Sequence, residues 1–143
     1  MKLKRYFLTA IILCCINSVR AQEFLVTSNK LIERVLPQHH HSFLTESLSY
    51  ARPKDVFELE SKGDKIILRG NNGVALASAF YYYLTEFAHC QITWNGTNLN
   101  IPSVLPKVNK KIRKETPYEY RYYLNYCTFN YSMSWWDWPR WEK

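Results

Sequence analysis

Residues 118–143 read YEYRYYLNYCTFNYSMSWWDWPRWEK, and this stretch decides how the rest of the chain is understood. Eleven of the chain's 23 aromatic residues fall inside it, from Tyr118 and Tyr120 through to Trp138 and Trp141. Aromatic side chains carry large apolar area on few rotors, so such a run marks a thick core or a surface for flat, partly apolar ligands such as sugars. Its first half alternates in the manner of a strand. The second half, SWWDWPRWEK, predicts a helix start with Ser134 as N-cap and Asp137 adding negative charge to the first turn. Pro139 requires that the helix begin close to it. The 26 residues from Tyr118 to Lys143 are too few for a core of their own, since a domain needs roughly 50 or more. The stretch therefore reads as the start of a larger domain or as an added layer on the part before it, with the chain stopping just inside a helix.

The four tryptophans of that helix occupy neighbouring positions and surround it, which favours packing over ligand contact. Asp137 and Glu142 are the last two carboxylates. Five residues apart on one short helix they fall on roughly opposite faces and do not flank one glycosidic bond. No Ser/His/Asp set and no complete active site is readable.

The formal charge of +7 is misleading, because Lys2, Lys4, Arg5 and Arg20 lie in the first 21 residues beside no acid and leave only +3 for the remainder. That balance predicts solubility and excludes a nucleic-acid surface as the main function. Those 21 residues have a basic head, an apolar middle from Tyr6 to Ile16 and Val19-Arg20-Ala21 at the end, the layout of a secretory signal cleaved before Gln22. The apolar stretch falls short of the ~20 residues of a membrane span, so an exported protein without a stable span is expected. Cys90 and Cys127 remain after processing. Export permits one disulfide between them, and two small buried hydrophobes are the other reading. Nothing in the cysteine or histidine spacing predicts a metal site or a cofactor, and His39-His40-His41 reads as a solvated loop.

Between the signal and the aromatic stretch, residues 22–106 predict an α+β domain: an antiparallel sheet packed with two helices. Thr27 or Ser28 caps a first helix that Pro37 ends. Strands follow from Phe43 to Ser49, around Val56 and Leu59, and over Lys65–Arg69, the last two joined by the turn Lys62-Gly63-Asp64. Gly70-Asn71-Asn72-Gly73 opens a helix from Val74 to about Phe87, with Leu76, Phe80, Tyr83, Leu84 and Phe87 facing the core. The loop lacks a phosphate-binding glycine pattern and reads as a cap after a turn. Gln91 to Trp94 is a short strand ending in the turn Asn95-Gly96. Three prolines (Pro102, Pro106 and Pro117) and the basic cluster Lys107, Lys110, Lys111, Arg113 and Lys114 mark the connector from Pro102 to Pro117, with 107–117 as the linker.

At this point Arg121-Tyr122-Tyr123-Leu124-Asn125-Tyr126-Cys127-Thr128, then Tyr131-Ser132, then Trp135-Trp136-Asp137-Trp138-Pro139-Arg140-Trp141-Glu142, closely resemble the beginning of the catalytic barrel in the alpha-N-acetylglucosaminidases, glycoside hydrolase family 89. Arg69-Gly70, Gly73-Val74-Ala75, Tyr83-Leu84, Phe87, Cys90, Trp94 and Gly96 fit the same family. The resemblance implies a retaining exo-hydrolase that removes terminal alpha-linked N-acetylglucosamine from glycans. A small α+β domain would precede a (β/α)₈ barrel whose first strand and helix start occupy 118–143. Strand ends carry the sites in such barrels. Asn125 and Cys127 would line the sugar subsite, and the tryptophans would be scaffold. The family's two catalytic glutamates stand on later barrel strands, so residues 1–143 alone are expected to be an inactive N-terminal fragment. The competing expectation is a stand-alone carbohydrate-binding or interaction domain.

Overall fold

The computed structural model describes residues 23–50, 53–93, 95–122 and 135–142. The signal segment 1–21, with its cleavage position, lies outside them. Helix α1 covers residues 23–35 and stops before Pro37. It has already begun at residue 23, so Thr27 is not its cap: the Thr27 hydroxyl donates back to the Glu23 carbonyl one turn earlier, at 3.1 Å. A 3-10 turn over His40–Ser42 leads into β1, Phe43–Ser47. Strands β2, Val56–Lys62, and β3, Lys65–Gly70, form the expected hairpin, with Gly63 at φ 61 in its turn. Helix α2 covers Gly73–Glu86; β4, Gln91–Thr93, and β5, Gly96–Asn98, make a small hairpin of their own. Strand β6 is Ile112–Glu115. A last short helix, α3, spans Trp138–Glu142.

The main sheet runs in the order β1-β3-β2-β6, and it is mixed rather than purely antiparallel: β1 lies parallel to β3. The central place of β3, by contrast, follows from its own residues. Ile66-Ile67-Leu68 is the one unbroken apolar run among the strands, all three buried, and such a strand takes a central place with neighbours on both edges. The second correction concerns the connector. Residues 112–115, expected within a linker, pair antiparallel with β2 from Ile112↔Leu59 to Glu115↔Val56. Around them Val108 is buried, its amide donating to Ser61 Oγ at 2.8 Å, and the Tyr83 hydroxyl donates to the Pro106 carbonyl at 2.8 Å.

Both long helices pack on one face of the sheet. Ala75, Leu76, Ala79, Phe80, Tyr83 and Leu84 of α2 are buried against Phe43, Leu59, Ile66 and Leu68, with Ile32 of α1 and Leu36 just after it beside them. Phe43 meets Phe80 and Tyr83 edge-on at 5.3 and 5.4 Å. Asn72 caps α2 by accepting from the Ala75 amide at 2.9 Å, as a cap after a turn should. Cys90 is a buried free thiol whose pKa burial raises.

Candidate functional site

The sheet face away from the helices carries a cluster of charged residues. Strand alternation puts Glu46, Glu58, Glu60, Arg69 and Arg113 there together. Arg69 bridges Glu46 and Glu60 at 2.5 Å each, and Glu58 accepts from Lys111 and Arg113 at 2.7 Å each. Burial pushes the Glu58 carboxyl up, but the Lys111 and Arg113 contacts outweigh it and hold its pKa below the usual range. A general acid working near neutrality needs the opposite shift. The ladder ties β6 to the sheet, and it takes up Lys111 and Arg113 of the basic cluster that reads in sequence as solvated charge.

A second group of polar residues lies at the N-terminal end of α2. Asp55 Oδ1 accepts from Asn72 Nδ2 at 2.7 Å, and Asp55 Oδ2 accepts from Arg121 Nη1. Asn71 accepts from the Val56 amide at 3.0 Å and donates to the Lys54 carbonyl at 2.8 Å. Both asparagines are thus committed to holding the loop, which leaves no cradle for a phosphate. Burial raises the Asp55 pKa, yet the hydrogen bonds from Arg121 and Asn72 win and it is lowered. Sequence reasoning missed the Asp55–Arg121 pair because its members are 66 residues apart and neither belongs to a periodic pattern.

Beyond β6 the chain turns outward, with Tyr118, Tyr120 and Tyr122 exposed. Asn125 and Cys127, the two residues expected to line a sugar subsite, lie outside the described residues, as does Ser134. Asp137 caps α3, its Oδ1 accepting from the Arg140 amide at 3.1 Å, and Pro139 occupies the first turn. This corrects the expectation of a helix beginning from Ser134: a helix that must tolerate Pro139 starts immediately before it. Trp136 meets Trp141 edge-on at 5.2 Å, with Arg140 over the Trp136 ring at 5.0 Å. Trp135 and Trp138 are 87% and 74% exposed.

A cavity of about 480 Å³ between the end of α1 and residues 99–103 is lined by Val35, Leu36, Leu99 and Ile101 with His39 and Asn100. No carboxylate is among its lining residues. Among the described residues no group of three His, Cys, Asp or Glu side chains is placed to hold a metal, and no helix is long and apolar enough to cross a membrane.

Comparison with known proteins finds two successive family matches on the chain. Residues 27–107 match the family described as the alpha-N-acetylglucosaminidase (NAGLU) N-terminal domain, and residues 121–143 match the tim-barrel domain of the same proteins. The human alpha-N-acetylglucosaminidase is 39% identical over 118 residues, 79% of this chain. A family 89 glycoside hydrolase from Clostridium perfringens, solved with 2-acetamido-1,2-dideoxynojirmycin, superposes on 88% of the chain with a TM-score of 0.78 and 37% identity. The same bacterial protein, with two glutamates changed to glutamine, was solved with its substrate GlcNAc-alpha-1,4-galactose. The chain spans 16% of the human protein's length and 15% of the bacterial one's.

Proposed function

Because the chain belongs to the alpha-N-acetylglucosaminidase family, glycoside hydrolase family 89, we propose that it is the N-terminal part of an exported, retaining exo-glycosidase acting on terminal alpha-linked N-acetylglucosamine. The observation that carries this reading is the order of the two family matches, 27–107 and then 121–143, on one chain. The N-terminal domain acts as a rigid base from which the first barrel strand sets out. Asn125 and Cys127 on that strand meet the sugar, asparagine offering both a donor and an acceptor to its hydroxyls. The ion-paired carboxylates of the base support a supporting role for it: Asp55 and Glu58 both have lowered pKa values and remain ionised at neutral pH. Hydrolysis itself belongs to two glutamates on later barrel strands, so residues 1–143 alone are inactive.

The test compares the mature 22–143 product with the full-length product of the natural locus, using GlcNAc-alpha-1,4-galactose as substrate. We expect release of N-acetylglucosamine by the longer protein and none by the shorter. In the longer protein Asn125→Ala and Cys127→Ala raise KM on the order of ten-fold, the loss of one or two sugar hydrogen bonds. Absence of hydrolysis by the longer protein, together with saturable quenching of tryptophan fluorescence by the sugar in residues 22–143, would instead make this a binding domain.

A further inference from the structure

The junction between the two family matches is closed by one residue. The β2–β6 pairing ends at Val56↔Glu115, and the next amide along, Thr116 N, donates to the Asp55 carbonyl at 2.9 Å. The chain then leaves the sheet through Pro117, exposes Tyr118 and Tyr120, and comes back, so that Arg121 donates to the Asp55 carboxylate. Backbone and side chain of Asp55 thus hold the two ends of segment 116–121. Asp55 is itself held, because its second carboxylate oxygen accepts from Asn72, the cap of α2. Its side chain is only 16% exposed, against 51% for Arg121, so the anchor belongs to the domain and the arginine is what docks. Residue 121 is also where the barrel-domain match begins.

Resting on the reading that the barrel strand carries the sugar subsite, we propose that Asp55 and Arg121 are a positioning pair: through them the N-terminal domain sets where the first barrel strand starts, and so where Asn125 and Cys127 stand. Only four residues of chain separate Arg121 from Asn125, at most about 13 Å when fully extended, so a shift at the joint has little chain in which to be absorbed. Displacement of a binding group by about 1 Å is enough to weaken its contact with substrate. The family resemblance assigns Arg121 no part in chemistry.

The experiment uses the full-length product of the natural locus and the variants Asp55→Asn, Arg121→Gln, their double combination and Arg121→Lys. With GlcNAc-alpha-1,4-galactose, each single variant raises KM about five-fold while kcat stays within about two-fold, the scale of one charge-assisted hydrogen bond with a half-exposed partner. The double variant is no worse than the worse single one, and Arg121→Lys recovers most of the loss. Glu60→Gln, which breaks an ion pair with Arg69 elsewhere in the same sheet, leaves KM unchanged. Unchanged KM in both single variants, effects that multiply in the double, or an equal KM rise in Glu60→Gln would each overturn the proposal. Chymotrypsin cleavage at Tyr118, Tyr120 and Tyr122 gives a readout independent of activity. Faster cleavage in both single variants with no further gain in the double supports the joint. Unchanged cleavage, or gains that multiply, overturns it. A wild-type protein inactive on the disaccharide would sink the functional reading alone, and the proteolysis pattern would still decide the joint.

Discussion

Replacing Gly70 by alanine tests the packing of α2 on the sheet at its tightest point. A Cβ at Gly70 would stand 2.9 Å from the Leu76 amide nitrogen, 3.0 Å from Leu76 Cγ and 3.1 Å from Ala75 Cβ. The first and last of these belong to the helix framework and not to the end of a flexible side chain, so relief requires α2 and β3 to separate by several tenths of an ångström. Overpacking of this kind costs about 1–3 kcal/mol. The loss of glycine's freedom in the unfolded chain offsets about 0.4–1 kcal/mol of it. A net destabilisation of about 1.3 kcal/mol corresponds to a fall in Tm of roughly 5–10 °C for a domain of this size. Thermal unfolding of the mature protein followed by circular dichroism measures it. Two further glycines isolate the cause. Gly96→Ala meets nothing within 4 Å at an ordinary φ, so it should raise Tm by a few degrees through the unfolded chain alone. Gly63→Ala also has open space but sits at φ 61, so it costs about 1 kcal/mol through backbone conformation alone. A Gly70→Ala protein that melts within about 2 °C of wild type refutes the close-approach argument.

Tyr83→Phe strands the Pro106 carbonyl, whose bond from the buried tyrosine hydroxyl is 2.8 Å long; denaturant unfolding should show a loss of about 1–2 kcal/mol. Burial, with the Cys90 charge adding to it, pushes the Tyr83 pKa up to about 12, so ultraviolet titration should find one tyrosine ionising well above the others. Glu58 supplies an acid limit to stability. Its folded pKa lies below its ordinary value of 4.5, so its contribution is complete above that pH and is lost as pH falls through the folded value. Glu58→Gln should flatten the acid side of the Tm–pH profile below about pH 4.5, and an unchanged profile counts against the ion ladder. For export, intact mass spectrometry of protein taken from its native host should find Gln22 at the N-terminus, and a retained Met1 would remove the signal reading.

The hairpin β2–β3 and helix α2 were readable in the chain because local rules decide them. Gly63 permits the turn, alternation separates Phe57 and Leu59 from Glu58 and Glu60, and Asn72 stands one residue before the helix it caps. The core face of α2 was equally legible from spacing, Phe87 alone lying at the margin as the residue that ends the helix. The partners of the charges were not. Lys111 and Arg113 look solvated in sequence because nothing local says that Glu58, more than fifty residues earlier, will stand opposite them. Alpha-N-acetylglucosaminidase family membership likewise rested on the aromatic motif, which announces the barrel without revealing what holds it.

Local sequence therefore determined the β2–β3 hairpin, helix α2 with its core face, and the family, since caps, turns and alternation act over a few residues. Only the tertiary structure decided that β1 runs parallel to β3, that residues 112–115 close the sheet, and that Arg121 returns to Asp55. Each of these depends on which distant strand wins a place beside the most apolar one, a competition settled by burial across the whole domain and not by any window of the chain.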